Sequence, residues 1–377
     1  MSSRHPSAAD ERPALPARPV PGLPPVRTGP GVPLAELTTL RIGGPAARTV
    51  VARTEAEVVA AVSAADAGPR PLLLVGGGSN LVIDDGPQDR DVVVVRTTGT
   101  DDVERDGSVW RTVAAGEPWD ATVAASVADG LVGLECLSGI PGAVGATPIQ
   151  NVGAYGQDVA QTIRRVRTSD RHTGEVRELT AEECGFAYRD SAFKGEDRHV
   201  VLTVTFALEP GRASAPVRYA ELARALGVAV GARAPLPEVR AAVLALRAGK
   251  GMVLDPEDPD TVSAGSFFTN PILDPDAFAA LERRVADRLG REVTPPRYPE
   301  PDGRAKTSAA WLIERAGFAK GHARGGAAIS SKHTLALTNR GGGSADLVAL
   351  AREVAAGVQE AFGVALHPEP VFVGVSW

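Results

Sequence analysis

The sequence predicts an α+β protein made of two or three domains. A chain of 377 residues is too long for one ordinary domain. Its first ordered part follows a strand–helix–strand–strand order, whereas the later helices and strands do not alternate regularly, and no internal repeat is present. This order of elements favours several small α+β units over a single layered domain.

A capping box begins the first predicted helix. The stretch Thr54-Glu55-Ala56-Glu57 is followed by apolar spacing that suits a helix ending near Gly68. The run PLLLVGGGSNLVI then indicates a buried strand, a glycine loop and a second strand. After a turn at residues 84–86, the run DVVVVR predicts a further strand.

Further helices and strands are predicted along the rest of the chain. WDATVAASVADG predicts a helix stopped by Gly130, and a second capping box from Thr180 to Glu183 predicts the start of another helix. HVVLTVTFAL predicts a strand, and LPEVRAAVLALRAGKG predicts a helix with a glycine stop. In the last region, SAAWLIERAG and SADLVALAREVAAGVQEAFG predict two helices around one strand, AISSKHTLALTN.

Composition and charge argue against several classes of protein. The net charge of −6 gives no electrostatic footprint for nucleic acid, although local basic groups can still bind small anions. Cys136 and Cys184 are far apart, and the six histidines show no metal-ligand spacing, so no metal is expected. No stretch is long and apolar enough to span a bilayer. We therefore expect a soluble cytoplasmic protein without a membrane partner.

The first residues of the chain are rich in proline. This start lacks the apolar segment of a signal peptide. Its proline density predicts a disordered or extended arm over residues 1–33. The first ordered unit is expected to start near Leu34.

The glycine loop at residues 76–80 is the first candidate binding site. A dinucleotide-binding fingerprint needs a helix directly after the loop, but Leu81-Val82-Ile83 follows here. A Walker A loop is excluded because no Gly-Lys-Ser/Thr is present. The remaining interpretations are a plain tight turn, or a nest of backbone amides and small polar side chains that holds a pyrophosphate.

A second candidate loop covers residues 138–159. It is dense in glycine and other small residues, and it carries no charge before Asp158. A solvated linker would be more polar. Such backbone suits close approach to a flat or phosphorylated ligand, with Gln150, Asn151 and Tyr155 as polar groups. A series of buried turns is the alternative.

Together with AYRDSAFK, GSFFTNP and HPEPVFVG, these loops give a specific pattern. The chain resembles the UDP-N-acetylenolpyruvoylglucosamine reductases, flavoenzymes that make UDP-N-acetylmuramate for peptidoglycan, over residues 34–377. The resemblance implies a two-subdomain FAD-binding fold of the vanillyl-alcohol-oxidase type followed by an α+β substrate-binding domain. The expected segments are FAD-binding subdomain 1 at 34–99 (joined by 370–377), subdomain 2 at 100–250, and the substrate-binding domain at 251–369.

The resemblance also assigns residues to roles. It implies catalytic roles for Arg189, Ser266 and Glu369, and substrate contacts for Tyr188, Tyr219, Lys250 and Asn270. The match around Lys250 is looser, and TTLRIGG has Thr38 where the family pattern has asparagine. The residues implied to bind FAD are Gly76, Gly77, Gly78, Ser79, Asn80, Gly139, Gly142, Gly145, Ala146, Gln150, Asn151, Gly153, Ala154 and Tyr155.

The three implied catalytic residues suit the chemistry of an enolpyruvyl ether. Arg189 can grip the carboxylate of the substrate bidentately, although an ion pair with Asp190 is the simpler interpretation. Glu369 is useful only as a neutral acid, which the flanking prolines and apolar residues would favour by burial, unless it lies in an exposed turn. Ser266, between Gly265 and Phe267, can protonate the carbanion or simply bond nearby backbone.

Cofactors and partners follow from the same resemblance. FAD is expected to bind non-covalently, because neither loop contains a histidine for covalent attachment. NADPH is the expected reductant and would share the cleft of the UDP-sugar in turn, since the sequence offers no separate dinucleotide site. A monomer is expected. Two alternatives remain: another FAD-dependent oxidoreductase of this fold, or a non-catalytic protein that binds flavin or UDP-sugar.

Overall fold

A computed structural model describes residues 26–377. Most of the predicted proline-rich arm, residues 1–25, lies outside the described residues. The last part of that arm pairs with strand β1 (Ala46–Ala52), since the Gly29 amide donates to the Thr49 carbonyl at 2.9 Å, so ordered structure begins before Leu34. None of the helices within residues 26–377 has the length and apolar character needed to cross a bilayer. The described part contains α-helices α1 (Glu55–Asp66), α2 (Trp119–Ala128), α3 (Ala220–Leu226), α4 (Leu236–Ala248), α5 (Pro275–Leu289), α6 (Ala309–Ala316) and α7 (Ser344–Phe362).

The strands of the described part are short and numerous. In chain order they are β1 (Ala46–Ala52), β2 (Leu72–Val75), β3 (Leu81–Ile83), β4 (Gln88–Val95), β5 (Thr100–Arg105), β6 (Ser108–Ala114), β7 (Leu131–Val132), β8 (Gly153–Ala154), β9 (Gln157–Asp158), β10 (Ile163–Asp170), β11 (Val176–Thr180), β12 (His199–Pro210), β13 (Ser263–Ser266), β14 (Ile272–Leu273), β15 (Tyr298–Pro299), β16 (Ala305–Lys306), β17 (Ala323–Arg324), β18 (Ala327–Ile329), β19 (Ala336–Asn339) and β20 (Val371–Val373).

A parallel three-stranded sheet forms the first layer, in the order β1-β4-β2. Helix α1 connects β1 to β2, and its capping box forms as predicted: Thr54 Oγ1 accepts a hydrogen bond from the Glu57 amide at 3.1 Å. Strand β3 leaves this sheet and pairs in parallel with the C-terminal β20. The end of the chain therefore returns to the first layer, directly beside the loop that joins β2 to β3.

A larger antiparallel sheet follows, in the order β11-β10-β12-β6-β5, and β7 pairs with the end of β12. The core between this sheet and the first one is built from valines, leucines and the buried rings of Trp119 and Phe206. The ring centroids of these two residues are 5.8 Å apart. This core is shared by the two sheets and includes Val144 and Val159 of the residue 138–159 loop.

The last part of the chain has its own sheets and core. Strands β13-β19-β18-β17 form one antiparallel sheet, and β14-β16-β15 form a smaller one. Helix α7 packs on the first of these sheets with a face of leucine, valine and alanine. The three main sheets lie within residues 46–95, 100–210 and 263–339. The division into segments 34–99, 100–250 and 251–369 stays a prediction.

Two of the predicted elements are wrong. The capping box at Thr180 forms, with the Glu183 carboxylate accepting from the Thr180 amide at 2.8 Å, but it closes a turn at the end of β11 and no helix follows. The stretch AISSKHTLALTN is not one strand: β18 and β19 are separate antiparallel strands joined by a turn. Helices α3 and α5 and strands β5, β6, β10 and β11 are among the elements that were not predicted.

Candidate active site

A cleft of about 350 Å³ lies where the three main sheets meet. The two glycine-rich loops form its floor, and the ends of β12 and β13 form its walls. The predicted site residues that line it are Gly76, Gly77, Gly78, Ser79, Asn80, Gly142, Gly145, Ala146, Gln150, Gly153, Arg189, Ser266 and Glu369. The predicted residues outside its lining are Gly139, Asn151, Ala154, Tyr155, Tyr188, Tyr219, Lys250 and Asn270.

The loop of residues 76–80 presents unpaired backbone amides to the cleft. None of its five N–H groups donates a hydrogen bond to the part of the chain that the structure describes. The Ser79 hydroxyl donates to the Pro141 carbonyl at 3.0 Å, which ties the two glycine loops together. A row of free amides in a concave loop is the arrangement that binds anions.

The two glycine loops touch through their backbones. A Cβ atom on Gly77 would lie 2.5 Å from Gly142 Cα, which is closer than non-bonded carbon atoms approach in proteins. Glycine is therefore required here by close approach and not by an unusual φ angle.

Gly77→Ala should separate the two loops and weaken flavin binding. Overpacking of this kind typically costs about 1–3 kcal/mol of stability. We expect the purified variant to carry much less flavin and to unfold at a lower temperature than the wild-type protein. Gly249→Ala is the control, because its Cβ would meet its nearest atom at an ordinary 3.4 Å. Equal flavin content in the Gly77 variant and the wild type would contradict this prediction.

The second loop holds Arg189 through its backbone. The Asn151 carbonyl accepts from Arg189 Nη1 at 3.2 Å, and the Gly153 carbonyl accepts from Nη2. The side chain of Asn151 is used within the protein, donating to the Ala187 carbonyl at 2.9 Å and accepting from the Ala160 amide at 3.1 Å. Asn151 thus joins the loop to the Arg189 turn, and its predicted contact with a cofactor stays a prediction.

Arg189 and Glu369 form the charged end of the cleft. Arg189 Nε lies 3.5 Å from Glu369 Oε1, and both side chains are about one-fifth exposed, at 21% and 22%. Burial raises the pKa of Glu369, and the positive charges of Arg189 and Lys194 oppose this shift without cancelling it. The contact between Arg189 and Glu369 is too long for a strong bidentate ion pair, so it does little to hold the carboxylate in its charged form. Burial therefore favours the neutral carboxylic acid.

Ser266 and Glu369 are brought together by backbone pairing. The Glu369 amide donates to the Phe267 carbonyl at 2.8 Å, and the Thr269 amide donates to the His367 carbonyl at 3.0 Å. Gly265, with φ of +72°, turns the chain immediately before Ser266. Within residues 26–377, Ser266 Oγ makes no hydrogen bond. Its hydroxyl is therefore available to a ligand.

Three of the other predicted residues form a cluster beside the cleft. The rings of Tyr155 and Tyr219 meet edge to face at 5.4 Å, and Lys250 Nζ lies 5.6 Å from the centre of the Tyr155 ring. Lys250 also forms an ion pair with Glu221 at 2.6 Å. Burial raises the pKa of Tyr155 to about 12, so its hydroxyl stays neutral at physiological pH.

Tyr188 and Asn270 make other contacts within the described residues. The Lys306 ammonium lies 4.6 Å from the centre of the Tyr188 ring. Asn270 Oδ1 accepts from the Ala309 amide at 3.0 Å, at the start of α6. This bond gives Asn270 a structural role, and its predicted substrate contact stays a prediction.

Two cleft residues with ionisable side chains were missed from the sequence. Arg247 on α4 and His199 on β12 both line the cleft. Arg247 Nε and His199 Nδ1, together with Gln150 Oε1, are buried polar atoms without a partner in the described residues. Buried polar groups normally have hydrogen-bond partners, so these atoms are placed to meet a polar ligand. Neither His199 nor Arg247 lies in a sequence motif that indicates a binding residue.

Two family profiles match the chain. One is described as UDP-N-acetylenolpyruvoylglucosamine reductase, C-terminal domain, and matches residues 256–373. The other, described as FAD binding domain, matches residues 46–180. UDP-N-acetylenolpyruvoylglucosamine reductase of Thermobifida fusca is 59% identical over 347 residues, covering 92% of this chain and 98% of that protein. The chain belongs to the UDP-N-acetylenolpyruvoylglucosamine reductase family.

Other members of the reductase family are similar over most of their length. The Streptomyces coelicolor reductase is 57% identical, covering 99% of this chain and 95% of that protein. A crystal structure of UDP-N-acetylenolpyruvylglucosamine reductase from Thermus caldophilus matches with a TM-score of 0.61 and 26% identity, covering 92% of this chain and 99% of that one.

These matches confirm the predicted fold and the predicted type of enzyme. The fold is α+β, with an FAD-binding fold of the vanillyl-alcohol-oxidase type followed by an α+β substrate-binding domain. The chain is an FAD-dependent oxidoreductase of the reductase family. The cleft fits FAD, since free amides and unpaired buried polar atoms line it and the two glycine loops leave no room for side chains between them.

Proposed function

We propose that this enzyme uses NADPH to reduce the enolpyruvyl ether of UDP-N-acetylglucosamine enolpyruvate, giving UDP-N-acetylmuramate. The observation that carries the proposal is that Arg189, Ser266 and Glu369 line one cleft together with the two glycine loops. An oxidoreductase acting on an alcohol or amine would not need an arginine, a neutral acid and a free hydroxyl together at this place. Bound FAD would supply hydride transfer between NADPH and the substrate.

Arg189 would hold the carboxylate of the enolpyruvyl group. Hydride addition to the terminal methylene leaves negative charge on the neighbouring carbon and on that carboxylate. The guanidinium is permanently positive and is fixed by the carbonyls of Asn151 and Gly153, so it can stabilise this charge without first rearranging. Its backbone adopts a φ of +54°, a conformation that non-glycine residues rarely adopt.

Glu369 would stabilise the same charge as a neutral acid. An ionised carboxylate would repel the developing anion, whereas a protonated one can donate a hydrogen bond to it. Its raised pKa favours the protonated form. Ser266 would then give its proton to the carbanion, and the buried rings of Phe267 and Phe268 restrict water at this end of the strand.

The substrate diphosphate would bind at the Tyr219 and Lys250 cluster. A phosphate can replace Glu221 as the partner of Lys250, and Tyr219 is exposed enough to contact it. The first glycine loop leads into strand β3, whereas a dinucleotide-binding loop leads into a helix. We therefore infer that NADPH would share the cleft with the UDP-sugar. The non-covalent binding of FAD, the monomeric state and the cytoplasmic location stay predictions.

The substrate and the reaction can be tested in one anaerobic experiment. The purified protein is reduced with one equivalent of NADPH, the UDP-enolpyruvyl sugar is added, and the flavin spectrum is followed. We expect rapid return of the oxidised spectrum with formation of UDP-N-acetylmuramate. Reduction without reoxidation would show that the electron acceptor is a different compound, and a colourless protein would contradict the proposed role of flavin.

If NADPH and the UDP-sugar use the same cleft in turn, the steady-state kinetics should follow a ping-pong scheme. After it has reduced the flavin, the product NADP⁺ must leave the cleft before the UDP-sugar binds. Double-reciprocal plots at several fixed sugar concentrations should therefore be parallel, as in other ping-pong reactions. Intersecting lines would instead indicate a ternary complex and therefore a separate binding place for NADPH.

A further inference from the structure

Arg96 is a buried arginine directly behind the first glycine loop. It is the residue after β4, and it is only 6% exposed. Its Nη1 donates to the carbonyls of Gly76 and Val95, each at 2.9 Å. Within residues 26–377 no carboxylate pairs with it, and its Nε and Nη2 groups have no partner.

Arg111, a second buried arginine of the described chain, is better compensated than Arg96. Arg111, which is 4% exposed, donates to the carboxylates of Asp102 and Asp129 at 2.7 and 2.6 Å. Burial without a charged partner lowers the pKa of Arg96 to about 10, whereas the bonds to its aspartates raise the pKa of Arg111. An unpaired buried cation is costly, so such a residue is expected to have an anionic ligand nearby.

The geometry of one peptide unit connects Arg96 to the cleft. The carbonyl that Arg96 binds belongs to the peptide between Gly76 and Gly77, which is trans like every described peptide bond. In a trans peptide the N–H points away from the carbonyl, so the Gly77 amide is directed away from Arg96. A cation on the carbonyl polarises the unit and makes that unpaired N–H a stronger donor.

We propose that Arg96 is a positioning residue that supplies the counter-charge for the diphosphate of FAD, acting through the Gly76–Gly77 peptide. The inference rests on the proposed function only in placing a flavin diphosphate at residues 76–80. It requires no substrate and no NADPH, so it can be tested independently of the reaction. Failure of the UDP-sugar to react would leave it unaffected.

Titration of apoprotein with FAD, followed by quenching of flavin fluorescence, tests the proposal. Hydrogen bonds to charged groups are worth roughly a 10- to 150-fold change in affinity. We therefore expect the Kd for FAD to rise at least about tenfold in Arg96→Gln, which keeps polarity and loses charge. Arg96→Lys keeps the charge and should recover most of this loss. The Kd for riboflavin, which has no phosphate, should change by less than about twofold in both variants.

Arg111→Gln is the matched control, because it removes an equally buried arginine whose partners are aspartates outside the cleft. We expect it to lower the unfolding temperature of apoprotein and holoprotein alike, with an unchanged Kd for FAD. Equal losses for FAD and riboflavin in Arg96→Gln would overturn the proposal, since Arg96 would then only shape the loop. Equal losses in the lysine and glutamine variants, or failure of both to fold, would overturn it as well.

Discussion

Ser266→Ala should leave an enzyme that NADPH still reduces but that passes its electrons to the UDP-sugar very slowly. The hydroxyl of Ser266 has no hydrogen-bond partner in the described chain and lies on the cleft wall, where it can reach a carbanion formed on the substrate. Proton transfer from a positioned side chain is typically worth about 10²- to 10⁴-fold in rate. Stopped-flow absorbance of the two half-reactions measures each step separately, and the loss should fall entirely on the second.

Ser263→Ala gives the control for this substitution. Ser263 lies three residues earlier at the start of β13, is buried, and its hydroxyl only accepts from the Gly265 amide at 3.3 Å. We expect its two half-reactions to stay close to the wild-type rates. If Ser266→Ala also reoxidised at the wild-type rate, water or another side chain would have to be the proton donor, and the assignment of Ser266 would be wrong.

Local sequence predicted those elements whose ends are determined by nearby residues. Helix α6 begins with Ser308 Oγ accepting from the Trp311 amide and ends at Gly317 with a φ of +106°, as SAAWLIERAG indicates. The capping box at Thr180 makes the same kind of bonds, yet Gly185 adopts a φ of +54° five residues later and ends the turn. A helix must continue past its first turn to offset the cost of nucleation, and a capping box alone does not ensure that.

The stretch AISSKHTLALTN was wrongly predicted as one strand because a residue distant in sequence contacts its middle. Asp260 accepts hydrogen bonds from the Ser331 amide and hydroxyl at 3.0 and 2.6 Å, and Ser330 Oγ accepts from the Lys332 and His333 amides. These bonds break the stretch into β18, a turn and β19. Asp260 lies 71 residues before Ser331, so no local pattern could reveal the contact.

The candidate site was predicted only in part, because contacts between distant segments of the chain position some of its residues. The Gly-rich composition of residues 76–80 left two interpretations, a plain tight turn or a loop that binds a pyrophosphate, and the structure shows the amides of this loop unpaired within the described residues. The pairing of residues 267–269 with 367–369 joins segments about one hundred residues apart, and only the family resemblance suggested it. The buried arginines 96 and 247 gave no signal, because burial depends on the packing of several elements.

The pH dependence of the substrate half-reaction should report the proton on Glu369. Burial raises the pKa of this carboxyl above its ordinary value, so the neutral form persists to higher pH than in an exposed glutamate. The rate of flavin reoxidation by the UDP-sugar should therefore be high at low pH and fall as the pH rises through the raised pKa. Reduction by NADPH should lack this alkaline limb, which gives an internal comparison on the same protein.

Substitutions of Glu369 separate the neutral acid from an ionised carboxylate. Glu369→Gln keeps a neutral hydrogen-bond donor of similar shape, so it should lose the alkaline limb and keep a larger share of the rate than Glu369→Ala. Removing one donor that stabilises an oxyanion typically costs about 10²- to 10³-fold, the loss expected for the alanine variant. If Glu369 instead acted as an anion, the glutamine variant would be as slow as the alanine variant, and wild-type activity would rise with pH. The single-turnover rates of both variants across the neutral pH range decide between these outcomes. The amide of glutamine does not titrate, so the rate of the glutamine variant should not fall with rising pH as that of the wild type does.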